Sequence, residues 1–250
     1  MAAEFPRLYP YSFSKAEELE ERPQYEESFY INVECAGAIE QAIRDHSSGD
    51  GLRENCAKSV LERYGFKRVN FVLANSVKQH KNPELISEDA RRWCGKTCVP
   101  LDRFVRYFKV NADAPLLEAF ILQTRQAYQA LGLFDAGHCA GDRHEQDYED
   151  KVLVLSPEAL RESCWTPQNQ LWYAHDGFGC RPSAIGRSIR ATCLGDGEMA
   201  RWNRSDFIGA LDGQYLPDWA EEKLAELHGP EQKQPDGPTM GRMTMEGGVL

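Results

Sequence analysis

Residues 188–202 read SIRATCLGDGEMARW. Two short runs, Ser188 to Leu194 and Glu198 to Trp202, flank Gly195-Asp196-Gly197. Gly and Asp tolerate the positive φ of tight hairpin turns, so the stretch is expected to fold back as two antiparallel strands. On its N-terminal side, KVLVL at 151–155 and Gln170 to Ala174 read as two further strands, with a brief helical turn opened by Pro157. FGCRPSAIGR at 178–187 is a Gly- and Pro-punctuated loop. On the C-terminal side, Ser205 is placed to cap a helix into Leu211, and Pro217 to His228 is a last amphipathic helix. The tail from 229 has the composition of a disordered segment.

The first half has a different texture. Ser14 followed by Glu17 matches a capping box and predicts a short acidic helix. Pro23 fits the first turn of the next, where Tyr25, Phe29, Val33, Ala36, Ile39 and Ile43 recur at helical spacing to about His46. Leu52, Cys56, Val60 and Tyr64 form a third stripe closed by Gly65. VNFVLANSV at 69–77 is ambiguous between strand and helix, and its helical neighbours favour helix. Further helices are expected near 84–94, near 100–109 and over Pro115 to Leu133. The class is therefore α+β: an all-α N-terminal unit over 1–134, then a small α+β unit with a short antiparallel sheet over 151–228. The acidic stretch DAGHCAGDRHEQDYED, 135–150, is expected to be a linker or loop between them.

Charge is strongly acidic overall, with Lys+Arg 29 against Asp+Glu 39 and a net charge of −10. Such a molecule is repelled by bulk nucleic acid, because non-specific affinity comes from neutralising phosphates. Residues 81–110 and 181–204 are nonetheless locally basic and could form patches. No apolar run approaches the roughly 20 residues a spanning helix needs, and MAAEFPRLYP lacks the form of a secretory signal. The eight cysteines are scattered, as expected of cytoplasmic thiols rather than of a disulfide framework.

Few residues suggest chemistry. Cys94, Cys98, His138, Cys139 and His144 could supply tetrahedral zinc ligands, but their spacing is not the usual pair of Cys-x2-Cys motifs. His175, Asp176 and Cys180 lie close in sequence and are of the residue types of a nucleophile and its base, although such partners usually meet in space. Phosphate-binding glycine loops are absent. Neither a metal nor a cofactor is expected, and no catalytic residue is assigned. Two clusters are better read as contact surfaces: the glutamates Glu17, Glu18, Glu20, Glu21, Glu26 and Glu27, and Arg201, Trp202 and Arg204 of the RWNR run. Arg and Trp are favoured interface anchors.

LYPYSF at 8–13, Tyr25, Ser28, NVEC at 32–35, AIE at 38–40 and VLANSV at 72–77 resemble domain-of-unknown-function family 3849. That family comprises uncharacterised proteins of gut Firmicutes mobile elements and phages. FGC at 178–180, DGE at 196–198, RWNR at 201–204 and LPDWA at 216–220 resemble C-terminal parts of proteins from such elements, whereas 81–110 does not match the family's pattern. The resemblance carries no chemistry. It implies a non-catalytic, cytoplasmic binding protein that inhibits a host nucleic-acid defence enzyme, as an anti-CRISPR or antirestriction protein does. The partner would be a host defence nuclease or its guide complex, with possible local nucleic-acid contact and no membrane. Two alternatives stand beside it: a nucleic-acid-binding accessory factor of transfer or replication, and a cysteine- or zinc-dependent enzyme.

Overall fold

The computed structural model describes residues 7–49, 51–95 and 107–228. They fall into two compact units, 7–134 with Ser156–Gln170, and Asp135–Leu155 with 171–228.

The first unit is helical. It contains α1 (Phe13–Glu18), α2 (Arg22–His46), α3 (Lys58–Lys78), α4 (Glu88–Gly95) and α5 (Ala114–Gln129). A two-residue hairpin, β1 (Ser47–Ser48) with β2 (Gly51–Leu52), follows α2. The cap of α1 is Ser12 rather than Ser14: Ser12 is extended and its hydroxyl accepts the Lys15 N–H. Along α2, Ser28, Asn32, Cys35, Ile39 and Ala42 recur every three or four residues and are buried, so the helix turns one continuous stripe inward. That stripe packs with Val69, Val72 and Leu73 of α3 and Leu117, Phe120 and Ile121 of α5 in one apolar cluster. The helix expected near 100–109 lies mostly outside the described residues, and 107–113 is not helical.

The helix expected to close at Gly65 and the helical reading of 69–77 meet within α3. Gly65 has φ 77° and ψ 162°, a backbone conformation that breaks the helix and suits only glycine. A second helical segment starts there, and its first N–H groups have no partners within the helix. Glu162 supplies one: its carboxylate accepts the Lys67 N–H at 2.5 Å. A Cβ on Gly65 would sit 2.0 Å from the other oxygen of that carboxylate, Glu162 Oε2. Lys67 Nζ donates to the carbonyls of Glu158 and Leu160, and Trp165 meets Phe66 and Tyr128 ring to ring. These contacts hold 156–170, ending in the single turn α6 (Pro167–Gln170), within the helical unit. The second half of the chain is thus not spatially continuous: 156–170 leaves the sheet unit between two of its strands.

The second unit is built on one antiparallel sheet. Its strands are β3 (Val152–Leu155), β4 (Leu171–Asp176), β5 (Ser188–Cys193), β6 (Met199–Asn203) and β7 (Phe207–Ala210), in the order β6-β5-β4-β3-β7. The GDG hairpin pairs β5 with β6 from Ser188↔Asn203 to Thr192↔Met199. Helix α7 (Asp218–His228) closes the described chain, and His228 Nε2 lies 3.0 Å from the Tyr173 hydroxyl of β4.

The helix expected from Ser205 into Leu211 is instead a strand. Only one tight turn, Arg204–Asp206, precedes β7, which pairs with β3 and buries Phe207 and Ala210. Pairing with a distant strand outweighs the local cap signal. The stretch 135–150 is irregular but built into the sheet unit. Tyr148 within it is fully buried, and the Ala140 N–H donates to Ala210 O at 2.9 Å, covering part of the outer edge of β7. No described helix is long and apolar enough to cross a membrane.

Candidate functional site

The six glutamates singled out from the sequence do not act alike. Glu18 pairs with Lys15 at 2.7 Å and Glu26 with Arg22 at 2.8 Å. Glu21 accepts the Tyr9 hydroxyl at 2.7 Å. Burial, reinforced by that carboxylate, pushes the Tyr9 phenol up to about 12. Glu21 therefore ties the segment before α1 to the start of α2. Glu17, Glu20 and Glu27 are exposed and, among the described residues, form no ion pair.

Glu27 belongs to a surface that the sequence reading did not isolate. Residues 27, 30, 34, 37 and 41 recur at three and four positions along α2, opposite the buried stripe, and all are exposed. Tyr30 is 55% and Val33 44% exposed, large apolar side chains set between Glu27 and Glu34. A Cβ built on Gly37 would meet nothing within 4 Å. No internal crowding demands glycine there, although glycine inside a helix costs about 0.5–1 kcal/mol relative to alanine. The available signal was negative: Val33 fitted the helical period, but Tyr30 and Gly37 were apolar or small residues off the buried stripe.

The RWNR cluster splits. Arg201 is exposed on β6. Trp202 is half-buried, packed edge to face on Trp172 with ring centroids 5.3 Å apart. Its indole N–H is buried and has no hydrogen-bond partner among the described residues.

Arg204 is not a contact residue. It is 3% exposed, and its guanidinium donates to the carbonyls of Gly179, Cys180, Arg143 and Gln146 at 2.6–3.1 Å. Its charge lies over the Tyr148 ring, 3.7 Å from the centroid. Planar, forked donors suit this task, and a buried arginine so satisfied is an internal staple. It fastens both the 143–148 segment and the 178–180 turn to the sheet unit.

The sulfur and histidine constellations are dispersed. Cys94 lies in the helical unit while His138, Cys139 and His144 lie in the sheet unit; Cys98 is outside the described residues. Among the described residues no group of three or more His, Cys, Asp or Glu is placed to hold a metal. Burial pushes the Cys94 thiol up to about 12 and Cys139 to about 11. His175 Nε2 lies 2.7 Å from the Thr192 hydroxyl, and Asp176 pairs with Arg190. Cys180 is 2% exposed, and burial, aided by Asp147 and Glu149, pushes its thiol up to about 11. A nucleophilic cysteine needs the opposite shift.

Residues 8–129 match the family described as a protein of unknown function (DUF3849). The match begins just before α1 and ends at the last residue of α5. It runs through 81–110, which the resemblance had left aside, and stops short of the 178–220 motifs. No curated protein and no solved structure matches the chain.

Proposed function

We propose that residues 8–129, which belong to the DUF3849 family, serve as a non-catalytic docking module that holds a basic surface of another protein against the outer face of α2. One observation carries the reading: Tyr30 and Val33 stand exposed on a face framed by Glu27 and Glu34. Docking surfaces combine an apolar or aromatic centre with a polar rim. The rim is acidic on balance, with Arg44 exposed at the far end of the same face. Residues 13–46 carry nine carboxylates against three basic side chains, so approach of a basic partner is steered and that of an acidic one resisted.

The partner class follows from chemistry joined to the family's setting in mobile elements. Enzymes that grip nucleic acid line their channels with Lys and Arg to neutralise phosphates. An acidic face with an aromatic anchor fits such a channel, and occupying it blocks the enzyme. This is the anti-CRISPR or antirestriction reading, with a host defence nuclease or its guide complex as the target.

The test is a pull-down from nuclease-treated host lysate with the wild type and with a Glu27→Lys, Tyr30→Ala, Glu34→Lys triple variant of unchanged circular dichroism. The expected result is a nucleic-acid-cleaving enzyme held stoichiometrically by the wild type, inhibited by it in a cleavage assay, and lost by the variant. Equal retention by the variant, or a captured partner whose cleavage is unimpaired, overturns the proposal.

A further inference from the structure

We infer that the outer edge of β6 receives an extended acidic segment of a partner protein as a sixth strand of the sheet. The two edges of the sheet are not equivalent. The β7 edge is partly covered by the Cys139–Ala140 segment. At the other end of the order, β6 pairs only with β5 among the described residues.

The register fixes which backbone groups β6 leaves open. Cys193 N–H donates to Glu198 O, and Arg204 N–H donates to Arg187 O. With the pairing Ser188↔Asn203 to Thr192↔Met199, the even-numbered residues of β6 therefore bond to β5. The N–H and C=O groups of Met199 and Arg201 and the C=O of Asn203 point away from the sheet. The Asn203 N–H is already taken by the Asp206 carboxylate. Met199 is 59% exposed, and Arg201 and Asn203 are exposed, so solvent reaches this edge.

Side-chain charge selects the occupant. Arg190 of β5 and Arg201 of β6 are direct cross-strand partners at a non-hydrogen-bonded position, where side chains come closest. Like charges so placed repel. Asp176 pairs with Arg190, while Arg201 has no ion pair among the described residues. A second copy of this chain is a poor occupant, because antiparallel pairing of two β6 edges brings Arg201 near Arg201. A strand alternating acidic and apolar residues places its carboxylates beside Arg201 while its backbone completes the open ladder. This is strand addition to a sheet edge, with main-chain bonds giving affinity and side chains giving choice.

The experiment uses the whole chain and a fluorescein-labelled peptide of eight residues alternating Glu and Val, with a Lys/Val peptide as counterpart. Fluorescence anisotropy at low salt is expected to show binding of the Glu/Val peptide alone. Arg201→Pro removes one outward N–H without touching a β5 bond and should weaken binding roughly tenfold or more. Amide exchange on the wild type provides a readout that does not depend on the variant folding: the Met199 and Arg201 amides should become protected when the peptide binds. Failure of the Glu/Val peptide to bind overturns the proposal, as does binding that leaves those two amides unprotected. Displacement of the peptide by a single-stranded oligothymidylate would make this face a nucleic-acid surface and would also overturn it.

Discussion

The Glu162 carboxylate caps the Lys67 N–H at 2.5 Å across 95 residues of sequence. Helix caps are usually supplied by the residue just before the helix. Here Gly65 opens a new helical start inside α3, and the cap arrives from a strap between two strands of the other unit's sheet.

Removing this cap has a defined cost. Glu162→Ala should lower the stability of the helical unit by about 1 kcal/mol, the usual worth of a cap, read from urea unfolding followed by circular dichroism. The pH dependence has an unusual sign. Burial lifts the Glu162 carboxyl above its ordinary 4.5, and the N–H groups of Lys67 and Phe66 oppose the shift without cancelling it. The folded state then binds this proton more tightly than the unfolded chain. Stability from this residue is greatest below the unfolded value and falls as pH rises through the folded one. Glu162→Gln should remove that fall, which sets in as pH rises above the ordinary carboxylate value. An unchanged slope would show that the carboxylate does not titrate as placed.

Arg204 tests the staple. Arg204→Met leaves four carbonyls, those of Gly179 and Cys180 buried, without their donor and should destabilise the sheet unit by about 3 kcal/mol. Arg204→Lys keeps the charge but cannot reach all four, so it should fall between. Tryptophan fluorescence during urea unfolding reads both, since Trp172 and Trp202 sit in this sheet. A loss below about 0.5 kcal/mol, the range of ordinary surface substitutions, would return Arg204 to the surface.

Gly37→Ala separates folding from docking. It should raise thermal stability by about 0.5–1 kcal/mol, because a Cβ there meets nothing and alanine favours the helix. The same methyl should weaken capture of the basic partner if another chain lies close against α2. Raised stability with undiminished capture would remove Gly37 from the contact face.

Cys180 should be inert in the folded protein. With its thiol pushed up to about 11, the thiolate fraction at pH 8 is about one in a thousand. Iodoacetamide labelling read by mass spectrometry should leave it unmodified until urea is added. Labelling of native protein at the rate of a free thiol would reopen the cysteine-enzyme reading.

The sequence disclosed what is local. The GDG turn between alternating strands located β5 and β6, and the 3.6-residue recurrence from Tyr25 to Ile43 located α2, with Phe29, Ala36, Ile39 and Ile43 inward as expected but Val33 turned out to the surface. It failed where distant residues decide. Four residues, Phe207 to Ala210, are too few to show alternation, and Ser205 ahead of them imitates a cap; only pairing with β3, some 50 residues earlier, makes them a strand. Arg204 was misplaced for a related reason. An arginine beside a tryptophan looks like an anchor, and its burial depends on carbonyls contributed by two separate segments, 143–146 and 179–180. The split of the six glutamates was equally hidden, since Tyr9 claims Glu21 through the fold, not through helical spacing.

The strap has a consequence for vectorial synthesis. A ribosome releases α1 to α5 first, yet Glu162 and Trp165 emerge only after β3 has been made. A nascent chain paused at Phe134 holds an α3 whose inner start is uncapped and whose Phe66 and Tyr128 rings lack their indole partner. The helical unit is thus begun first and completed late, with the making of the sheet already under way. An excised helical fragment therefore needs residues 156–170 joined back to it, and cutting at the apparent boundary at 134 yields an incomplete body.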